Sequence, residues 1–105
     1  MSDWNMIIHD PIRLQIMTLL AATPSANFIG LRETTNTTDG NLITHLRKLE
    51  QIDYIYVSKT QVRRTQSWYS ITPRGLAELH RHLGLLEQVI VRYRGQMEGG
   101  DFNGR

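Results

Sequence analysis

The segment Thr38-Asp39-Gly40-Asn41-Leu42-Ile43-Thr44-His45-Leu46-Arg47-Lys48-Leu49-Glu50 constrains this 105-residue chain more than any other. Leu42, Leu46 and Leu49 fall at i, i+4 and i+7, which makes one apolar stripe along a helix. At about 100° per residue, Gly40, Asn41, Thr44, Arg47 and Lys48 turn away from that stripe, and His45 sits at its margin. Such a helix buries one face in its own domain and leaves the opposite face for something else. Directly after it, Tyr54-Ile55-Tyr56-Val57-Ser58-Lys59 and Ser67-Trp68-Tyr69-Ser70-Ile71-Thr72 read as two strands. A basic connection, Gln61-Val62-Arg63-Arg64-Thr65-Gln66, joins them.

The remaining elements follow from caps and spacing. Asp10-Pro11 starts a first helix that runs to about Ala22, since Asp accepts from free amides and Pro suits the first helical position. Ile12, Ile16, Leu19 and Leu20 are its expected buried face, flanked by Leu14 and Met17. Thr23-Pro24-Ser25 ends it. Asn27-Phe28-Ile29 has room for a very short strand. A second helix is expected from Gly30 to about Thr35. Asn36 is a residue type that tolerates the left-handed backbone of a tight turn, and Thr38 caps the third helix. Thr72-Pro73 opens the last helix. In it, Leu76, Leu79, Leu83, Leu86, Ile90, Tyr93 and Met97 alternate spacings of three and four, a heptad seam longer than one small domain needs.

One modest core is all that 105 residues can build, so a single domain over residues 1–98 is expected, with 73–98 as the last helix. The Gly-rich stretch 99–105 reads as a disordered tail. Cysteine is absent, which excludes disulfides, thiolate catalysis and cysteine-based metal sites. No apolar run approaches the roughly 20 residues of a membrane span, and the N-terminus does not read as a secretory signal, so a cytoplasmic protein is expected. The net charge of +2 permits a nucleic-acid partner without arguing for one, and the placement of charge says more.

That placement favours DNA. Short polar and cationic side chains on an outward helix face suit base edges and phosphates in a major groove. Thr38, Gly40, Asn41, Thr44, Arg47 and Lys48 are the expected contacts on the helix, and Lys59, Arg63 and Arg64 those on the hairpin. His45 belongs to the same set, with core packing or pH sensing as its alternatives. Trp68 has the strand parity opposite to Tyr69 and Ile71, and it packs on a partner or lines a ligand or DNA surface. His80 and His82 diverge by about 200° on a helix, so no metal site is expected from them, with or without His9, and no cofactor either. No nucleophile elbow, phosphate loop or His-Glu metal motif is present, which argues against an enzyme.

Across roughly residues 8–90 the chain resembles the small winged-helix transcriptional regulators of the MarR and ArsR type. The matching strings are Asp10-Pro11-Ile12-Arg13-Leu14-Gln15-Ile16-Met17, Phe28-x-x-Leu31-Arg32, the segment Thr38 to Glu50, and Tyr69-x-Ile71-Thr72-Pro73-x-Gly75. Such families usually carry Gly where Asp53 stands, and often where Asn36 stands. The resemblance implies a mainly α fold with a small β-hairpin: a winged helix-turn-helix with a long C-terminal dimerisation helix. It also implies a homodimer that controls promoter access on double-stranded DNA, by repression. The expected dimer interface is Leu83, Leu86, Ile90, Tyr93 and Met97. A protein-interaction module, or a switch with a small-molecule effector at the dimer interface, are the competing readings.

Overall fold

Helix α1 (Pro11–Ala22) starts as its sequence dictates. The Asp10 carboxylate accepts from the amides of Ile12 at 3.0 Å and Arg13 at 2.9 Å, with proline at the first helical position. Ile16, Met17 and Leu20 are buried, whereas Ile12, Leu14 and Leu19 are only partly covered. Met17 thus takes the central place expected of Leu19. Residues 16, 17 and 20 share one narrow sector of the helix, and the body closes over that sector. These elements come from a computed structural model that describes residues 4–61 and 65–98. Arg63, Arg64 and the tail 99–105, expected to be disordered, lie outside the described residues.

The short strand β1 is Ala26–Asn27, and helix α2 (Phe28–Thr35) begins two residues before its expected start at Gly30. The cause is Asn27, whose side chain accepts from the Gly30 amide at 2.9 Å and so caps the helix early. Asn36 then adopts the left-handed conformation, φ 52°, and ends α2. After Thr38 comes α3 (Asp39–Gln51), followed by Asp53 at φ 64°. Asn36 and Asp53 stand where Gly is most easily placed, and both are residue types that tolerate that backbone.

Strands β2 (Ile55–Gln61) and β3 (Thr65–Ile71) pair antiparallel, with Ile55 opposite Ile71 and Gln61 opposite Thr65. Each runs two residues further into the basic connection than expected. Because β1 adds to the free side of β3, the sheet has three strands in the order β1-β3-β2 rather than a bare hairpin. Helix α4 (Pro73–Glu98) follows. The Thr72 hydroxyl accepts from the Gly75 amide at 2.9 Å and donates to the Asp53 carbonyl at 2.7 Å, which ties the helix start to the exit of α3. A Cβ on Gly75 would lie 2.1 Å from the Tyr54 carbonyl oxygen, so only glycine lets α4 approach the sheet this closely.

The core gathers Ile8 from the leader that precedes α1 (described over residues 4–10), Ile16, Met17 and Leu20 from α1, and Leu31 from α2. Leu42, Leu46 and Leu49 come from α3, Ile55 from β2 and Leu79 from α4. Helix α4 joins it only along its first half, since residues 87–98 are all exposed. Among the described residues, no helix is long and apolar enough to cross a membrane.

Candidate nucleic-acid interface

Burial of the Leu42-Leu46-Leu49 stripe fixes what α3 shows to its surroundings. The three leucines are 0–3% exposed, and Thr38, Gly40, Asn41, Thr44, Arg47 and Lys48 all lie on the surface. The Thr38 hydroxyl accepts from the Asn41 amide at 3.2 Å. The Asn41 side-chain amide donates to the Thr37 hydroxyl at 2.7 Å, and the Thr44 hydroxyl donates to the Gly40 carbonyl at 3.0 Å. These bonds give Asn41 and Thr44 preferred orientations and leave acceptor capacity on both. A Cβ on Gly40 would meet nothing within 4 Å, so the protomer's own packing does not require glycine there. Thr37 was not singled out from the sequence; its position one turn before Asn41 was the available signal.

The hairpin lies beside α3. Arg47 and Glu50 face Lys59, Val57, Ser67 and Tyr69 across a groove of about 360 Å³, which brings Arg47 and Lys59 to one place. A second hollow, about 330 Å³, is edged by Thr44, Arg47, Lys48 and Gln51. Burial, and after it the charge of Glu50, raises Tyr69 above the ordinary phenol value, so it stays protonated in the groove wall. Where β3 runs past β1, an apolar cleft of about 510 Å³ opens between Phe28, Ile29, Ile43 and Tyr69. Arg32 pairs with Asp39 at 3.2 Å at the entrance to α3, an exposed contact of little energetic weight.

His45 turns toward α1. Its side chain is 14% exposed, with Nδ1 at 2.9 Å from a guanidinium nitrogen of Arg13 and 3.9 Å from Asp10. Arginine can only donate, so Nδ1 accepts and the neutral ring carries its proton on Nε2. Arg13 also donates from Nε to the Ile7 carbonyl. Burial pushes Asp10 up. The Arg13 amide, the charge of Arg13 and the Ile12 amide outweigh it and hold the carboxyl below its usual range. This geometry packs His45 against α1 through Arg13 and Asp10. Asp10 and Arg13 form the link between α1 and α3, which the sequence did not announce because Arg13 and His45 lie 32 residues apart.

The seam on α4 emerges from the body as it proceeds. Leu76 and Leu86 are half-buried and Leu79 is buried, but Leu83, Ile90, Tyr93 and Met97 are 37%, 47%, 58% and 46% exposed. Val89, 46% exposed, borders the same face three residues after Leu86. Trp68 is half-buried in β3 between Asn27 and Ser58, and on its own parity Ser70 is buried with its hydroxyl donating to the Pro24 carbonyl at 3.0 Å. No group of three or more His, Cys, Asp or Glu able to hold a metal ion occurs among the described residues.

The chain is similar in sequence or in fold to several known proteins. An uncharacterized protein of Methanocaldococcus jannaschii, MJ0432, is 34% identical over 70 residues, which is 66% of this chain and 76% of the relative. The structure of a transcriptional regulator homologue from Pyrococcus horikoshii superposes with a TM-score of 0.79 at 31% identity, over 85% of this chain and 89% of that one. A MarR-family regulator from Enterococcus faecalis shares the fold at TM-score 0.74 and 19% identity, over 89% of this chain and 84% of its own. The transcriptional repressor CouR, solved bound to a 23-mer DNA duplex, shares it at 0.76 and 21%, over 91% and 68%. The sequence profile of the winged helix DNA-binding domain matches residues 12–90, and the chain belongs to that family, with the fold of MarR-type transcriptional regulators.

Proposed function

We propose that the protein is a homodimeric regulator of transcription that binds double-stranded DNA sequence-specifically and represses by blocking promoter access. The reading rests above all on α3, whose apolar stripe is used up in the core while its short polar and cationic face stands free beside Lys59 of the hairpin. In this reading α3 enters the major groove. Asn41 and Thr44 read base edges, and Arg47, Lys48 and Lys59 neutralise phosphates. Arg63 and Arg64 serve the flanking backbone or minor groove. The seam of half-buried Leu86 and exposed Leu83, Ile90, Tyr93 and Met97 pairs with its copy. Two recognition helices then meet half-sites about 34–36 Å apart. No catalytic step belongs to this reading.

Selection of bound duplexes from a random pool, followed by salt titration, tests it. The expected product is an inverted repeat with half-sites one helical turn apart, bound with a steep salt dependence. Asn41→Ala should cost about 1–3 kcal/mol on the selected site and little on unrelated DNA. An equal loss on both would move Asn41 to the backbone. Recovery of no enriched sequence would remove the regulator reading.

A further inference from the structure

The DNA-binding reading leaves unused a cluster where the leader meets the root of α4. His82 is fully buried. Its Nε2 lies 3.1 Å from Nδ1 of His9, whose ring reaches the surface. The two rings meet nearly edge to face, with centroids 5.1 Å apart and planes at 66°. Trp4 closes on both, 5.1 Å from His9 and 5.5 Å from His82. Among the described residues, Nδ1 of His82 is buried without a hydrogen-bond partner.

That orphaned nitrogen decides where the protons sit. If His9 donated to His82, neutral His82 would carry its own proton on Nδ1, a buried N–H with no acceptor. If His82 donates from Nε2 to His9, its Nδ1 holds only a lone pair, the milder loss. The second arrangement is therefore the one the cluster favours, with both rings neutral. It has no place for another proton. A proton added to His9 at Nδ1 either sets two N–H groups against each other or forces His82 into the tautomer with a buried, unpaired Nδ1–H. One added to His82 puts a charge into a buried site with no counter-ion among the described residues.

We propose that the His9–His82 pair is a pH-sensitive latch that holds the leader on the root of α4 when neutral and releases it when protonated. The surrounding charges do not compensate. Among the described residues of the leader, His9 is the titratable side chain that His82 faces. Its own helix supplies Arg81, a like charge, and Glu78, which is engaged by Asn5 at 2.9 Å and Arg81 at 3.1 Å. Helix α1, which also packs on α4, has Arg13 as its only ionisable side chain, and that guanidinium is held by the Ile7 carbonyl and His45. Burial first, then the charges of His9 and Arg81, lowers His82 below the ordinary histidine value. The stability tied to the neutral ring is therefore complete above the unfolded value of 6.5 and is lost as pH falls through the lower folded value.

Release has consequences in both directions along the chain. The leader carries Ile8, fully buried, so its departure opens the core beside α1. His82 stands between Leu79, in the core, and Leu83, the first exposed member of the seam, so the latch acts where α4 leaves the body. Coupling of pH to dimer geometry, and through it to DNA affinity, rests on the function proposed above; the latch itself does not.

The test combines histidine ring titration by NMR with amide hydrogen exchange of the full chain. The expected result is a His82 midpoint below that of histidine in the urea-unfolded chain. Leader amides should lose about tenfold or more protection between pH 7.5 and pH 5, after correction for intrinsic exchange, while α3 amides keep theirs. In His82→Phe, leader protection should become independent of pH over that range. A wild-type His82 that titrates at or above the unfolded value, or a leader whose protection tracks that of α3, overturns the latch whether or not the variant folds. A leader still pH-sensitive in folded His82→Phe overturns it too. DNA affinity measured across the same pH range separates the two readings: a protein that binds no duplex at any pH refutes the regulator, while the latch stands or falls on exchange and titration.

Discussion

Helices α3 and α4 carry the same kind of sequence pattern and meet opposite ends. In α3 the leucines at positions 42, 46 and 49 are 0–3% exposed, closed over by α1, the sheet and the leader. In the outer half of α4, Ile90, Tyr93 and Met97 keep the same three- and four-residue spacing and stay 46–58% exposed. Amphipathic periodicity states that a helix has a face to bury; it does not state against what. For α3 the answer lies within the chain, because elements before and after it fold over the stripe. Past Leu86, α4 has outrun the body of the protomer, and in the function proposed above its exposed apolar face pairs with a second copy.

The comparison can be broken most severely at Leu42. If α3 is held by its own domain, Leu42→Ala should cost about 2–5 kcal/mol of unfolding free energy in a urea melt, as a buried leucine truncated to a cavity does. A loss under 1 kcal/mol would mean that the stripe is not a core element. The matching test on α4 is Ile90→Asp with Tyr93→Asp. The protomer should fold as before, since both side chains are largely exposed, but sedimentation should give the mass of one chain in place of two. Affinity for a palindromic duplex should fall by about 10²-fold or more, because the second half-site is no longer linked to the first. A variant that stays dimeric would assign the seam to another purpose.

Two smaller effects sharpen the contrast between the ends of these helices. Gly75→Ala forces a methyl against the Tyr54 carbonyl and should cost about 1–3 kcal/mol by thermal melting, since backbone must move to admit it. Gly84, where a Cβ would meet nothing within 4 Å, supplies the control: Gly84→Ala should be neutral or stabilising. Thr38→Ala removes the cap of α3 and should cost about 1 kcal/mol, with a larger loss of helix protection in the first turn than in the last. Equal loss along the helix would show that the cap does not govern that end.

What residues near one another in the chain can settle was legible in the sequence. Asp10, Thr38 and Thr72 cap their helices because a short oxygen-bearing side chain satisfies amides two or three residues on, and Asn36 and Asp53 turn the chain because they tolerate a positive φ. The outward set on α3 followed from helical rotation alone. The early start of α2 at Phe28 was missed because it depends on Asn27 both pairing in the sheet and capping the helix, which a linear reading treats as alternatives. Tertiary structure alone decided the rest: Met17 over Leu19, the link from Arg13 to His45, Gly75 against Tyr54, and the meeting of His9 with His82 across 73 residues. These contacts have no period and no local signature. They exist only after the core has closed, because packing rather than backbone preference brings such residues within hydrogen-bond reach.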